Sequence, residues 1–335
     1  MLPKVSIIIP TYNRAKYLQQ AIESAFAQDY PNLEVIVSDN ASTDETPEVV
    51  KKYMVDPRFK YFRNEKNLGI AGNWRRALYE YATGDWALIL SDDDYLIDKY
   101  YISKAINLAK IDDEIVIVHA NQKSYLEDTG IIIGTKKNLP NIVSGLWMFK
   151  NFNKGNITFN LLTVIFNVNK ARELQFFYHE TILYYDWLYL LKLSLIGKVG
   201  FINEFVGVYR SHASNTIKNF NLDMIFENLK FIEVPYEYAK NLNKFSHFEL
   251  ENWKNRMIKT YFVGILSTLY RKRDIKLLRE FFVELIRGYP YYLIVFLYPK
   301  SILRLIFCIF PTLGNLYLKF KLSSQKDVML NNGKK

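Results

Sequence analysis

Cysteine is almost absent from this chain: Cys308 is the only one in 335 residues. No disulfide can form within it, which agrees with a reducing compartment. Glycine is sparse as well, 14 in all, and the turn behind the first apolar run reads Pro10-Thr11-Tyr12-Asn13-Arg14 without one. A Rossmann dinucleotide site needs G-x-G-x-x-G at that turn, and no P-loop pattern occurs elsewhere, so both are excluded. Long uncharged runs are missing too. Gly288 to Pro299 is twelve residues without charge, Lys300 and Arg304 interrupt, and Leu305 to Leu318 contains Pro311 and Gly314. A spanning helix needs about 20 apolar residues, so neither run is a good transmembrane segment. The first strand pattern begins at Val5, and no secretory leader is expected ahead of it.

Apolar residues are plentiful, at 50% of the chain, with 23% charged, which suits a packed core and argues against wholesale disorder. The net charge of +10 is unevenly spread: residues 1–215 carry 24 Lys and Arg against 24 Asp and Glu, and residues 216–335 carry 20 against 10. A neutral front and a basic, aromatic-rich tail suit two jobs, the tail facing anionic headgroups or nucleic acid. Tyr289, Tyr291, Tyr292, Phe296, Tyr298, Phe307 and Phe310, flanked by Lys and Arg, read as an element lying in a membrane interface, the other reading being a helix buried on the main domain.

Strand and helix alternate over the first 120 residues. Val5 to Pro10, Leu33 to Ser38, Phe59 to Arg63, Trp86 to Ser91 and Ile115 to Ala120 read as strands. Leu18, Ala21, Ile22, Ala25 and Phe26 make one face of a helix, and Ile70 to Tyr81 is another. This alternation predicts a parallel sheet covered on both faces. The middle, to about 215, is less regular, with strands at Ile131–Ile133, Ile157–Asn167 and Gly200–Tyr209 and a helix over Trp187–Ile196. Beyond 216 the apolar spacing is helical.

The most informative run is Asp92-Asp93-Asp94, which closes the apolar strand Trp86 to Ser91. Adjacent carboxylates at the end of a buried strand repel each other and resist desolvation, so they call for a compensating charge. A divalent cation shared with substrate phosphates is the natural one. A solvated turn capping the next helix would serve for an isolated triplet. Here, however, four successive strand ends converge: Pro10 to Arg14, Asp39 to Asp44, Asn64 to Gly69 and the aspartates. In open α/β sheets ligands bind at the carboxyl ends of the strands.

The stretches VSIIIPTYNR, EVIVSDNASTDET, NLGIAGNWRRAL and LSDDDYL, in this order and spacing over about the first 100 residues, resemble the family 2 glycosyltransferases. Their details look most like bacterial surface-polysaccharide transferases. The resemblance implies an α/β fold of the GT-A nucleotide-diphospho-sugar transferase type, a mostly parallel central sheet flanked by helices, over residues 1–215. A helical extension (216–287) and a basic aromatic membrane-associated tail (288–335) would follow. It implies that Pro10, Thr11, Tyr12 and Asn13 line the nucleobase and ribose pocket, that Asp39 accepts a hydrogen bond from the base, and that Asn67 and Gly69 pass close to the nucleotide. Asp92 would face ribose or metal, and Asp93 would be the principal ligand of Mg²⁺ or Mn²⁺, the charge that neutralises a departing diphosphate.

A transfer to a hydroxyl also needs a base, and Asp186 in Tyr184-Tyr185-Asp186-Trp187 is the candidate. The family usually has Glu-Asp here, and Tyr185 replaces the glutamate; Asp is also a favoured helix cap. Tyr209-Arg210-Ser211-His212 resembles the family's Tyr-Arg-x-His, with Arg210 as phosphate clamp and His212 as metal ligand. The expected activity is inverting transfer from a UDP- or dTDP-sugar to a lipid-linked oligosaccharide at the cytoplasmic face of a bacterial inner membrane. Oligomeric state is left open. A sugar-phosphate nucleotidyltransferase would want a glycine-rich basic loop at Pro10 to Arg14. A nucleic-acid-binding protein would explain the tail's charge but not the strand-end acids, which repel phosphates unless metal is bound.

Overall fold

The computed structural model describes residues 2–155, 157–178, 184–212 and 221–290. Within them lie β1 (Val5–Thr11), β2 (Leu33–Asp39), β3 (Phe59–Arg63), β4 (Trp86–Ile89), β5 (Tyr95–Leu96), β6 (Ile115–Leu126), β7 (Ile131–Ile133), β8 (Ile142–Ser144), β9 (Val164–Asn167) and β10 (Lys198–Ser211). They join in a single sheet of order β3-β2-β1-β4-β9-β6-β10-β5, with β7 on β6 and β8 on β10. Every residue of β1 and β2 is buried, as a β-branched run without alternation requires. Ile7, Ile8 and Ile9 are wholly inaccessible, and each contributes roughly 1.5–3 kcal/mol by leaving water. The helix Ala15–Phe26 buries Leu18, Ala21, Ile22 and Ala25.

β1 to β4 pair in parallel as the alternation predicts. Beyond β4 the sheet is mixed: β9 runs antiparallel to both β4 and β6, whereas β10 is parallel to β6. The regular alternation stops at β6, which turns straight back into β7, and hairpins give antiparallel neighbours. Register then sets the rim. Thr11 stands beside Asp39, and Asp39 beside Arg63. The Leu90 amide donates to the Ile8 carbonyl at 2.9 Å, two residues before Asp92.

The opposite end of the sheet is held by a buried carboxylate. Glu34 on β2 accepts from Ser6 Oγ (2.6 Å), the Thr83 amide (2.7 Å) and Lys60 Nζ (2.7 Å), with Lys4 Nζ at 2.9 Å. Burial works to raise its pKa, but the Lys60, Ser6, Lys4 and Thr83 contacts outweigh it and bring the carboxyl down to about 2.

Among the described residues, those up to 212 with 230–250 form one compact unit, and 221–229 with 251–290 form a second. The first unit runs past the expected boundary at 215 because the helix Lys230–Asn241 returns to it, with Phe231 against Tyr184 and Trp187 (ring centroids 5.3 and 6.0 Å). In the second, Phe226, Phe262 and Phe281 pack together, and Tyr261 Oη donates to the Ile225 carbonyl at 2.7 Å. Among the described residues no helix is long and apolar enough to cross a membrane. The tail from 291, where most of the expected membrane element falls, lies outside the described residues.

Candidate active site

The turn that follows β4 sends three consecutive aspartates three ways. Asp94 points inward, its Oδ1 accepting from the Arg210 amide at 2.9 Å. Burial first, then the neighbouring Asp93, holds its carboxyl well above the ordinary carboxylate range. Asp92 is also buried, and the same two causes push it up to about 7; the Thr11 hydroxyl and Tyr12 amide pull it back only in part. Asp93 points to the rim. There its Oδ2 meets Arg14 Nη1 at 2.9 Å and His212 Nε2 at 2.8 Å.

Arg14 Nη1 and His212 Nε2 are themselves 3.0 Å apart. This triangle has a proton problem. If Nε2 carries a hydrogen to donate to Asp93, it cannot accept from the guanidinium; if it accepts, two lone pairs face each other across 2.8 Å. A divalent cation that takes both lone pairs removes the conflict, and a carboxylate with an imidazole suits Mn²⁺ better than Mg²⁺, which prefers oxygen ligands throughout. Among the described residues no three His, Cys, Asp or Glu side chains converge as a protein-only metal site. Asp93 and His212 would supply two ligands to such a cation, and most of its coordination would remain for other oxygens.

The loops behind β1 and β2 are laced together and carry backbone strain. Asn13 and Ala41 both adopt left-handed φ, 53° and 65°, a conformation that costs a non-glycine residue about 1–2 kcal/mol. Asn13 Oδ1 accepts from the Thr43 amide at 2.7 Å, the Ser42 hydroxyl accepts from the Asn13 amide at 3.0 Å, and Asp44 accepts from the Ala15 amide at 2.9 Å. Pro10 is buried at the end of β1, whereas Tyr12 is left 44% exposed, its ring free to meet a ligand face. Asp39 is wholly buried; its oxygens accept from the Ser42 amide (2.8 Å) and Tyr61 Oη (2.7 Å). A base contact would have to use its remaining lone pairs.

Asn67 Oδ1 accepts from Asn40 Nδ2 and from the Gly69 amide, both at 2.8 Å. Gly69 has φ of +73° and open space where a Cβ would stand, so glycine is required by the turn rather than by a close neighbour. Beneath this loop lies a network that sequence reasoning missed. Asn73 Oδ1 accepts from Ser38 Oγ (2.7 Å) and Asn64 Nδ2 (2.9 Å), and Asn40 Oδ1 accepts from Asn64 Nδ2 (3.1 Å) and the Leu68 amide (2.8 Å). The legible signal was Asn73, an amide on the face of its helix that buries Ala77 one turn on.

Arg210, expected as a phosphate clamp, is placed behind the aspartate turn: only 9% exposed, it donates from Nε to the Asp93 carbonyl (3.0 Å) and from Nη2 to Gln20 Oε1 (2.5 Å). The rings of Tyr17, Tyr95 and Tyr125 surround its guanidinium at 5.0–5.5 Å. The cation that meets Asp93 at the rim is Arg14, the last residue of the first motif. His212 stands against Asp93, its Nε2 2.8 Å from Oδ2.

Asp186 sits in the first turn of the helix Tyr185–Ser194, which Tyr185 opens in the glutamate's place. Part of its surface is accessible, yet it is enclosed enough that desolvation raises it to about 6, with the Trp187 and Asp186 amides lowering it in part. Two tyrosines feel these carboxylates. Burial and then Asp186 raise the Tyr184 phenol, while burial and then Asp94, Asp93 and Tyr184 raise the Tyr209 phenol to about 12. His119 is structural: inaccessible, between Phe159 and Phe201, and held neutral by burial.

A family model described as Glycosyl transferase family 2 matches residues 6–177, half of the chain, ending ahead of Asp186 and His212. The GalNAc(5)-diNAcBac-PP-undecaprenol beta-1,3-glucosyltransferase of Campylobacter jejuni is 43% identical over 98 residues, 29% of this chain and 31% of that protein. The poly(ribitol-phosphate) beta-N-acetylglucosaminyltransferase TarS of Staphylococcus aureus is 38% identical over 95 residues, 28% of this chain and 17% of its own. The matches to these two relatives thus span less than a third of their lengths. The Escherichia coli UDP-Glc:alpha-D-GlcNAc-diphosphoundecaprenol beta-1,3-glucosyltransferase WfaP is 30% identical over 215 residues, 64% of this chain and 80% of that one.

Among solved structures, residues 1–349 of S. aureus TarS in complex with UDP-GlcNAc superpose with a TM-score of 0.61 at 19% identity, covering 78% of this chain and 73% of that one. The Pyrobaculum calidifontis mannosyltransferase PcManGT in complex with GDP-Man and Mn²⁺ gives 0.54 at 16%, covering 94% and 88%. At such identities the likeness is one of fold, a GT-A-like α/β sheet with flanking helices. Together with the family match, it makes this chain a member of glycosyl transferase family 2, and a glycosyltransferase.

Proposed function

We propose that this enzyme moves a sugar from a UDP- or dTDP-linked donor to a hydroxyl of a lipid-linked oligosaccharide in bacterial surface polysaccharide synthesis, with inversion at the anomeric carbon. The observation that carries this reading is the Asp93–His212–Arg14 triangle at the strand-end rim. Asp93 and His212 would hold Mg²⁺ or Mn²⁺, which supplies neutralising charge to the departing diphosphate. Thr11, Tyr12, Asn13, Asp39, Asn67 and Gly69 are assigned to the nucleoside, and Arg14 to the diphosphate, to which it would donate once released from Asp93.

Asp186 acts as general base. The acceptor oxygen forms its bond to the anomeric carbon as the carbon–oxygen bond to the diphosphate breaks; the electron pair leaves with the nucleotide and the hydroxyl proton goes to Asp186. A carboxyl near 6 is ionised at neutral pH and more basic than an ordinary one, as this role wants. The acceptor class is supported by two relatives whose names specify PP-undecaprenol and diphosphoundecaprenol substrates and β-1,3 products. A β product is what inversion of an α-linked nucleotide sugar gives.

The test is a panel of UDP- and dTDP-sugars with an undecaprenyl-diphosphate-linked acceptor, with and without Mn²⁺, read by nucleotide release and product mass. No transfer from any nucleotide sugar would sink the reading. Residues 288–335 are proposed as a peripheral contact with an anionic membrane. Flotation of the full chain with phosphatidylglycerol vesicles, compared with a chain cut after Gly288, tests that part; a full chain that ignores vesicles rejects it.

A further inference from the structure

His212 is gripped from two directions by one residue that no motif marked. Glu127 is the first residue after β6, and its amide donates to the Ser211 carbonyl at 3.0 Å, next to His212 in the chain. Its carboxylate reaches the other way. Both oxygens accept from Tyr17 Oη, at 3.1 and 2.9 Å. The Tyr17 ring lies on the His212 imidazole, centroids 5.0 Å apart and planes 27° off parallel. Backbone and side chain of Glu127 thus close a loop around the imidazole: Glu127 to Ser211 to His212, and Glu127 to Tyr17 to His212. Lys16 also touches Glu127, at 3.3 Å, but it is 74% exposed and adds little.

We propose that Tyr17 and Glu127 are positioning residues that fix the plane of the His212 ring and so aim Nε2 at Asp93 Oδ2. The proposal rests on the reading above, in which that pair holds the cation on the donor diphosphate. The physical case is one of rotation. The ring torsion of a histidine is broad and roughly two-fold, so the chain around His212 does not by itself choose an orientation. An aromatic face stacked on the ring does, provided that face is itself held. Tyr17 is held by a charged acceptor gripping its hydroxyl from the β6–β7 turn, and hydrogen bonds to a carboxylate are the strong ones. Groups that orient a metal-binding histidine commonly matter about ten- to a hundredfold to metal affinity. The same ring also faces the Arg210 guanidinium at 5.0 Å, so the Glu127 variants, which leave the Tyr17 side chain whole, carry the discrimination.

The experiment uses the full chain and the variants His212→Ala, Tyr17→Leu, Tyr17→Phe, Glu127→Ala, Glu127→Gln and the Tyr17→Leu/Glu127→Ala pair. Mn²⁺ affinity is measured by electron paramagnetic resonance with saturating UDP, beside donor KM and kcat and the His212 imidazole resonances. His212→Ala should lose affinity. Tyr17→Leu and Glu127→Ala should each weaken Mn²⁺ by about tenfold, raise donor KM more than they lower kcat, and broaden the His212 signals. Combined, they should cost no more than the worse single change, because both act through one ring. Glu127→Gln should recover most of the loss, since its amide oxygen still accepts from Tyr17. Tyr17→Phe keeps the stack and the fold but frees the ring, and should fall between. If His212→Ala loses affinity while the Tyr17 and Glu127 variants keep it, the positioning role is overturned and the cation reading stands. If His212→Ala binds Mn²⁺ as the wild type does, the cation reading falls and takes this proposal with it.

Discussion

Arg14 and His212, 198 residues apart in sequence, stand 3.0 Å from each other over a single carboxylate oxygen of Asp93. No assignment of protons satisfies all three contacts of that triangle. The arrangement is therefore one that a ligand improves, and the residues that compete in it are those expected to separate when donor and cation arrive.

Asp93→Asn should abolish Mn²⁺-dependent binding of UDP. The amide keeps the shape but supplies neutral, weaker oxygen ligation and no charge. Global stability should change little, because the substitution relieves repulsion within Asp92-Asp93-Asp94 while loosening Arg14. Calorimetry of UDP with and without Mn²⁺ decides the matter, and an unchanged metal-dependent affinity would show that the cation sits elsewhere.

Asp186→Asn should reduce kcat by about 10²–10⁴-fold with little change in donor KM, since the amide cannot accept the proton. The wild-type rate should rise as pH climbs through about 6, where the carboxyl gives up its proton, and level off above. The residual activity of the variant should lack that acid limb. A variant that turns over at near-normal speed would point to another base.

Arg210→Met should destabilise the protein by about 3 kcal/mol, the range for breaking a buried charged network. It loses the bonds to Gln20 and the Asp93 carbonyl together with three tyrosine faces. Urea unfolding measures this directly. If stability holds and only donor affinity falls, Arg210 is a phosphate ligand after all.

Glu34→Gln should cost roughly 3 kcal/mol at neutral pH, from a carboxyl lowered from 4.5 to about 2. The sign follows from the depression: the unfolded chain takes up the proton first. The stabilisation is therefore complete above 4.5 and disappears as pH falls through about 2. Acid unfolding of the variant should lose that dependence. Parallel curves for variant and wild type would mean that the lysines, not the charge of Glu34, hold this end.

The parallel half of the sheet was readable because each strand is a bounded β-branched run and each helix shows an apolar stripe. The mixed half was not. Val164–Asn167 runs against both β4 and β6, a direction that the residues of the strand do not themselves encode. At the site, the strand-end residues could be found because a parallel topology alone brings them to one rim. Arg210 and Arg14 could not be told apart by type: both are arginines beside acids, and only burial among tyrosines separates a brace from a rim cation. Tyr17 and Glu127 left no mark because their partnership spans 110 residues and carries no spacing signature.

The amide network of Asn40, Asn64 and Asn73 beneath the second and third strand ends has a consequence for how the enzyme would respond to its surroundings. Primary amides neither gain nor lose protons in water's ordinary range, and their hydrogen bonds are little affected by added salt. The loop that these amides brace should hold one shape through the range in which Asp186, held near 6, takes up its proton. Acidification should then stop the transfer at Asp186 without reshaping the loop assigned to the nucleoside, so the two ends of the reaction answer to different environmental controls.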